Sequence, residues 1–209
     1  MSNRFFITGT GTGIGKTVVS AILAEASGAD YWKPVQAGFE EGTDSEWVSG
    51  IIFNKKTCVH KEAYKLKLAA SPHLAAREEN MVVDLDNIVS QIPSSDNLII
   101  EGAGGLMAPL NETEFVVDLI RMMKVKVIIV SKNELGSINH SLLTASVCKQ
   151  YNLDVAGWVF NGNYMNYEEE IVKWSGIPRL ASIRHSPNID RSFVAGEAVR
   201  LRKEFNLFS

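Results

Sequence analysis

The chain has 209 residues, of which 45% are hydrophobic and 22% charged, a balance that supports one sizeable core and excludes an intrinsically disordered protein. Its formal net charge of -3 at pH 7 excludes the basic surface that nucleic acid or an anionic membrane would attract, so we expect small-molecule partners. We expect a single domain over residues 1–209. No apolar run is long enough for a signal peptide or a membrane span, which predicts a cytoplasmic protein.

Short apolar runs alternate along the chain with segments of helical spacing. Strands buried on both faces are predicted at 4–8, 30–35, 97–102, 126–131 and 155–160. Helices are predicted at VVSAILAEA after the first run, EFVVDLIRMM before the fourth, NHSLLTASVCKQY before the fifth, and about 191–206, where Phe193, Val194, Val199 and Leu201 are expected to face inward. This order predicts an α/β fold with a mostly parallel sheet flanked by helices.

Two polar segments lie between these elements. KKTCVHKEAYKLK, with five lysines, is interpreted as a solvated surface, and SPHLAAREEN as a long connection. The two cysteines, Cys58 and Cys148, form no C-x-x-C pair, so we expect neither a disulfide framework nor a zinc site.

The glycine-rich stretch GTGTGIGKT connects the first predicted strand to the first helix. It departs from the common phosphate loop, G-x-x-x-x-G-K-[ST], because its first glycine, Gly9, lies one residue too early. Backbone N–H groups and the helix dipole favour an anion at such a junction, where the lysine reaches terminal phosphates and the threonine hydroxyl binds Mg²⁺. An unliganded tight turn is the weaker alternative. The stretch predicts a P-loop NTPase that binds ATP through Gly13, Ile14, Gly15, Lys16, Thr17 and Val18.

Three charged residues outside the loop are further candidates. Glu101 ends a predicted strand at the sheet edge where ligands of doubly wound folds bind, so it is a candidate metal ligand or, alternatively, a turn cap. The turn that follows it, Gly102, Ala103 and Gly104, is suited to wrapping a nucleotide. Asp44 by itself reads as a helix N-cap. Lys33 ends a strand, and either an anion site or extension into solvent explains it.

Taken in order, GTGTGIGKT, KPVQAG, the Thr-Asp pair at 43–44, SPH at 71–73, EGAGG, LGSINH at 135–140 and GWVFN at 157–161 resemble the dethiobiotin synthetase family. The resemblance covers residues 4 to about 161 and makes the shifted loop a family trait. It implies a homodimeric ATP-dependent cyclo-ligase that closes 7,8-diaminononanoate and CO2 into the cyclic urea of dethiobiotin, with Mg²⁺. The implied route runs through a carbamate and a carbamic-phosphoric anhydride, releasing ADP and phosphate.

The resemblance also assigns roles to residues. It implies that Lys33 and Lys16 are catalytic, that Asn161 recognises the nucleotide base, and that the metal ligands are Thr17, Asp44 and Glu101. Substrate contacts are implied for Thr12, Lys33, Ala37, Gly136, Ser137, Ile138 and Asn139. The last four residues open a helix. In the family, the partner subunit contributes this region, and it receives the substrate's carboxylate tail. A helix cap by Ser137 or Asn139 is an alternative that is compatible with this role.

Three stretches depart from the family pattern. Ala37 stands where a substrate-contacting Ser or Thr is frequent, SIRHSP at 182–187 replaces a Gly-x-Ile-Pro segment near the nucleotide, and SKNELG at 131–136 precedes the substrate-tail turn in an unfamiliar form. We expect these departures to affect substrate affinity and base preference.

Two other functions compete with the ligase. An amide-forming synthetase of cofactor assembly would normally carry a glutaminase domain, for which the chain has no room. A nucleotide switch of the partition or cell-division type would carry a second lysine five residues before Lys16, where this chain has Gly11. Both features favour the ligase.

Overall fold

A seven-stranded sheet, parallel throughout, forms the centre of the computed structural model, which describes residues 3–204. Its strands, in chain order, are β1 (Asn3–Gly9), β2 (Asp30–Trp32), β4 (Val59–His60), β6 (Asn97–Glu101), β7 (Lys126–Lys132), β8 (Val155–Asn161) and β9 (Arg179–Ser182). They are arranged in the order β4-β2-β6-β1-β7-β8-β9. Two further strands, β3 (Val35–Ala37) and β5 (Tyr64–Leu66), form a small parallel sheet of their own. The predicted parallel α/β architecture is confirmed.

Among the described residues, eight helices cover the two faces of the sheet. They are α1 (Lys16–Ser27), α2 (Asp44–Ile51), α3 (Pro72–Glu78), α4 (Leu85–Ser90), α5 (Val116–Met123), α6 (Ser137–Gln150), α7 (Glu168–Ser175) and α8 (Arg191–Glu204). Within residues 3–204, none of them is long and apolar enough to cross a membrane.

Alternate residues of each strand supply two separate hydrophobic clusters. Phe6 packs with residues of α3 to α7 on one face, whereas Ile7 packs with α1, α2 and α8 on the other. Because both faces are covered, the central strands read as continuous apolar runs, which is the reason that the sequence predicts them well.

The predicted strand at 30–35 is wrong in its second half. β2 ends at Trp32, and Pro34, which has no N–H to donate to a ladder, separates it from β3 in the small sheet. The Pro34 carbonyl accepts hydrogen bonds from the backbone N–H groups of Ala63 and Tyr64. The break leaves Lys33 at the junction of the two sheets.

Both of the polar segments contain regular structure. SPHLAAREEN, predicted to be a long connection, forms α3, with Pro72 in the first turn, where a missing N–H costs nothing. The lysine-rich segment contains β4 and β5. All five of its lysines are exposed, which confirms the interpretation as a solvated surface for them, whereas Tyr64 and Leu66 are buried. The sequence also fails to predict β9, which is short and begins with a charged residue.

The last helix is confirmed as α8 over Arg191–Glu204, and the last two predicted positions, 205 and 206, lie outside the described residues. Val194 and Leu201 face inward as predicted, and Phe193 is half-buried. Val199 is 51% exposed, so its predicted inward position is wrong.

One charged side chain of α8 lies in the core. Glu197 is fully buried, and its carboxylate accepts hydrogen bonds from Arg184 Nε at 2.5 Å and from Arg200 Nη2 at 2.6 Å. Burial alone would raise the pKa of Glu197, but the hydrogen bonds from the two arginines outweigh it and hold the pKa below the ordinary 4.5. Glu197 thereby fixes the SIRHSP segment against α8.

We expect Glu197→Gln to lower the free energy of unfolding by about 2 kcal/mol at neutral pH, because hydrogen bonds to a charged group are lost. A folded carboxyl with a lowered pKa stabilises the protein above its unfolded pKa, and this contribution disappears as the pH falls through the folded pKa. Urea unfolding of both proteins should therefore show a difference that narrows below pH 4.5. Glu170→Gln, on the exposed face of α7, is the control that should change little. A difference independent of pH would contradict this account.

Candidate active site

The glycine-rich loop joins the end of β1 at Gly9 to the start of α1 at Lys16. Gly13 and Gly15 have φ values of 71° and 92°, a left-handed conformation that other residues adopt only with strain. A Cβ on Gly15 would lie 2.8 Å from Asn161 Nδ2. The backbone of the loop is thus shaped by glycine, and its N–H groups are available at the start of a helix, where anions bind.

Lys16 is folded back onto its own loop. It is only 7% exposed, and its Nζ donates a hydrogen bond of 2.7 Å to the Gly11 carbonyl. Burial lowers the pKa of Lys16 to about 8, although the charge of Glu101 opposes the shift. A bound anion would compensate this buried ammonium, as the predicted phosphate contact requires.

Glu101 connects three elements at the carboxyl edge of the sheet. Its side chain is 1% exposed, its Oε1 accepts hydrogen bonds from Thr17 Oγ1 at 2.8 Å and Lys33 Nζ at 3.4 Å, and its Oε2 accepts one from the Tyr31 hydroxyl at 2.9 Å. Burial, and then the charge of Glu101, raise the pKa of Tyr31 well above 10, which keeps it a donor. Since each of these partners is a side chain and a cap accepts from a backbone N–H, the alternative role of Glu101 as a turn cap is wrong.

Lys33 forms a partly buried ion pair with Asp44 Oδ2 in addition to its contact with Glu101. Burial lowers the pKa of Lys33, but the charges of Glu101 and Asp44 outweigh this and raise it above 10.5, so the side chain stays an ammonium. The alternative in which Lys33 extends into solvent is wrong, because the residue is 7% exposed.

Asp44 is free to face Lys33 because another residue caps α2. Thr43 is the N-cap: its side chain accepts from the Glu46 backbone N–H, and the Glu46 side chain accepts from the Thr43 N–H. The N-cap interpretation of Asp44 is therefore wrong. As the first residue of α2, Asp44 has a position fixed by this capping box.

The oxygen atoms of Thr17, Asp44 and Glu101 fit a magnesium ion. A hydroxyl and two carboxylates are the hard ligands that Mg²⁺ prefers. The Lys33 ammonium contacts both carboxylates and offsets their charge.

These side chains line a cavity of about 710 Å³ beside the loop. The predicted site residues that border it are Thr12, Gly13, Gly15, Lys16, Thr17, Val18, Lys33, Ala37, Asp44, Glu101, Ala103 and Gly104. Gly102 does not border it: its N–H donates to the Ile7 carbonyl at 3.0 Å, and a Cβ there would lie 2.6 Å from Phe6, so this glycine serves close packing.

A smaller cavity, of about 180 Å³, lies on the opposite side of the loop. Ile14 and Asn161 border it, and Asn161 Nδ2 donates to the Ile14 carbonyl at 2.6 Å. Lys132 and the SIRHSP residues Arg184 and His185 complete its wall. Two of the three departures from the family pattern therefore meet at this cavity.

Gly136, Ser137, Ile138 and Asn139 border neither of these two cavities. Gly136 is the N-cap of α6 with φ 92°, and its N-terminus has no side-chain cap, so the alternative of a cap by Ser137 or Asn139 is wrong. Ser137 is instead buried, with its Oγ 2.5 Å from the Tyr167 hydroxyl.

Sequence reasoning missed two residues of the larger cavity region. Tyr31 reads as an ordinary core aromatic, but it lies two residues before Lys33, and alternation along a strand places both on the side of Glu101. Gln36 borders the cavity and accepts a hydrogen bond of 3.3 Å from the Asp44 backbone N–H. The Tyr31 spacing was a usable signal, whereas no local pattern indicated Gln36.

The parallel sheet and the loop define a P-loop nucleotide-binding protein. A family model described as "AAA domain" matches residues 3–192. Two solved structures share the fold. The septum site-determining protein MinD complexed with Mg-ADP from Pyrococcus horikoshii has a TM-score of 0.58 and 17% identity, covering 98% of this chain and 90% of that one. A ParA family ATPase from Chlorobium tepidum has a TM-score of 0.58 and 13% identity, covering 95% of this chain and 90% of that one.

Curated relatives define the family more narrowly. The ATP-dependent dethiobiotin synthetase BioD of Cytophaga hutchinsonii is 46% identical over 95% of this chain and 96% of its own length. The enzyme of the same name from Christiangramia forsetii is 43% identical over 97% and 98%. The chain belongs to the family of ATP-dependent dethiobiotin synthetases.

We expect Gly15→Ala to weaken ATP binding by about tenfold or more, because the new methyl group adds a clash with Asn161 to the strain of a positive φ. Gly11→Ala is the matched control, since a Cβ there has no neighbour closer than 4.0 Å and its φ is not positive. Calorimetric titration with ATP measures both variants. Equal affinities would show that the contact between loop and Asn161 is unimportant for binding.

Proposed function

We propose that this chain closes 7,8-diaminononanoate and CO2 into dethiobiotin at the expense of ATP, through a carbamate and a carbamic-phosphoric anhydride. Membership of the family supports the reaction. The observation that carries the proposal is that Lys16, Lys33, Asp44 and Glu101 all border one cavity next to the phosphate loop. Two ammonium groups in one cavity suit a reaction that joins two anions.

The loop holds the triphosphate through its backbone N–H groups, and Lys16 exchanges its contact with the Gly11 carbonyl for the terminal phosphates. Lys33, kept charged by Glu101 and Asp44, attracts the carbamate formed on one substrate amine. A carbamate oxygen attacks the γ-phosphorus, and the bond from that phosphorus to the bridging oxygen breaks, so ADP leaves. The neighbouring amine then attacks the carbamoyl carbon, phosphate departs, and the nitrogen loses a proton to water. The substrate supplies both nucleophilic nitrogens, so the protein positions charge and supplies no nucleophile.

Thr17, Asp44 and Glu101 are proposed to hold Mg²⁺. The ion, when bound, offsets phosphate charge and polarises the γ-phosphoryl group. Tyr31 and the Thr43 capping box keep two of these ligands, Glu101 and Asp44, in place.

The substrate's carboxylate tail is proposed to bind at Gly136, Ser137, Ile138 and Asn139 of a partner subunit. These residues open α6 and border neither of the two cavities beside the loop of their own chain, and a helix N-terminus favours a carboxylate. This arrangement requires a homodimer, and Thr12 and Ala37 are the proposed contacts from the subunit that holds the nucleotide. A cytoplasmic location stays a prediction.

Product analysis tests the reaction directly. Purified protein with ATP, Mg²⁺ and bicarbonate should release ADP only when 7,8-diaminononanoate is present, and mass spectrometry should detect dethiobiotin. ADP release that is independent of the diamine would contradict the ligase and favour the nucleotide switch.

We expect Lys33→Ala to lower kcat by at least about 100-fold, because the positive charge opposite the carbamate is lost. The dissociation constant of ATP should stay within a factor of about three, which also shows that the variant is folded. Lys65→Ala is the control: this lysine lies outside the cavity and contacts the exposed Glu46 at 3.7 Å. Steady-state kinetics and ATP titration separate the two effects, and retained turnover would refute the role of Lys33.

A further inference from the structure

Three potential metal ligands lie together at one edge of the main sheet. β2 pairs with the edge strand β4 in a parallel register that sets Tyr31 opposite Val59 and Trp32 opposite His60. Because side chains alternate, Asp30, Cys58 and His60 project from the same face of these adjacent strands. We call Asp30, Cys58 and His60 the edge-strand cluster.

The cluster is compact. One ligand atom from each residue, a carboxylate oxygen, the thiol sulfur and a ring nitrogen, lies within 4.8 Å of the other two. His60 Nε2 is 2.8 Å from Asp30 Oδ2, while Asp30 Oδ1 accepts a hydrogen bond of 2.9 Å from the Cys58 backbone N–H. The hydrogen bond from the Cys58 backbone holds the Asp30 carboxylate next to the residue that carries the thiol.

These distances match a tetrahedral site after a small adjustment. Bonds of 2.0–2.3 Å from zinc to nitrogen, oxygen and sulfur place neighbouring ligand atoms about 3.3–3.8 Å apart. The 2.8 Å contact between His60 and Asp30 must therefore open by about half an ångström, and the other two pairs, which lie within 4.8 Å, must close by about one at most. Cys58 is exposed, and Asp30 and His60 are half-buried, so water can reach a fourth position.

The donor types select the ion. A thiolate with an imidazole and a carboxylate suits Zn²⁺ and disfavours Mg²⁺ and Ca²⁺, which prefer oxygen alone. The oxygen cluster of Thr17, Asp44 and Glu101 has the opposite preference. The two groups of ligands are thus chemically distinct within one chain.

We propose that Asp30, Cys58 and His60 bind one zinc ion, with water as the fourth ligand. The expected absence of a zinc site, based on the missing C-x-x-C pair, overlooks ligands that only the strand register brings together. The ion would link β4, which has only two residues, to β2, which ends immediately before Lys33. Its role is to hold the edge of the sheet, and the proposal is independent of the ligase reaction.

Cobalt substitution tests the site in the full-length chain, purified without a polyhistidine tag and kept in excess Mg²⁺ so that the oxygen ligands are occupied. Titration with CoCl2 should produce a sulfur-to-cobalt charge-transfer band that saturates at one cobalt ion per chain. Addition of ZnCl2 should abolish this band. Cys58→Ser should remove the band. Asp30→Asn and His60→Gln should weaken zinc binding beyond the roughly 10–100-fold that loss of an outer hydrogen-bond partner costs.

Cys148→Ala is the matched control and should leave the band unchanged. Iodoacetamide gives a second readout: Cys148 is buried, with its pKa raised to about 12 by burial, so alkylation of the native chain reports Cys58. ZnCl2 should slow that alkylation and raise the Tm of the wild type but not of Cys58→Ser. The proposal is overturned if cobalt gives no sulfur band, if zinc leaves the alkylation rate unchanged, or if the band persists in Cys58→Ser.

Discussion

The buried carboxylate of Glu101 is the interaction on which the rest of the site depends. A charge that is 1% exposed is tolerated only with partners, and here Thr17 of α1, Tyr31 of β2 and Lys33, which follows β2, supply them. The sheet order explains why these partners are available. β6, which ends in Glu101, lies between β2 and β1, so the residues that follow its two neighbours reach the same carboxylate. Satisfying one charge therefore assembles the phosphate loop and the second lysine around a common point.

The surroundings of Glu101 also show where function resides in this fold. MinD and ParA family proteins share the architecture at less than 20% identity, and a fold shared at that level does not determine a reaction. In this chain the carboxyl edge carries Gly11 in the loop, and Lys33 at a strand end that Pro34 separates from the small sheet. The family relationship rests on near full-length identity of 43–46% and not on the fold.

The sequence predicts those features that depend on neighbouring residues. The four long strands, β1, β6, β7 and β8, are recognisable because both of their faces are buried, and the loop is recognisable because its glycines and lysine lie close together in the sequence. The short strands β4, β5 and β9 carry too few apolar residues to show a period. Lys33 and Asp44 have ordinary local explanations, and only the resemblance to a family raised them above these. Tyr31 looked like a core residue, and the edge-strand cluster depends on pairing between positions 28 residues apart, which no local pattern reveals.

The two outer strands of the main sheet limit edge-to-edge aggregation with other chains. Unpaired backbone groups along an edge strand form a template on which another chain can add a strand. Here one edge, β4, offers two residues and the other, β9, offers four, beginning with the charged Arg179. The long apolar strands that would aggregate most readily, β1, β6 and β7, lie in the interior of the sheet, and each is paired with another strand on both sides. In the folded protein, the order of the strands thus prevents the long apolar strands of this chain from pairing with strands of other chains.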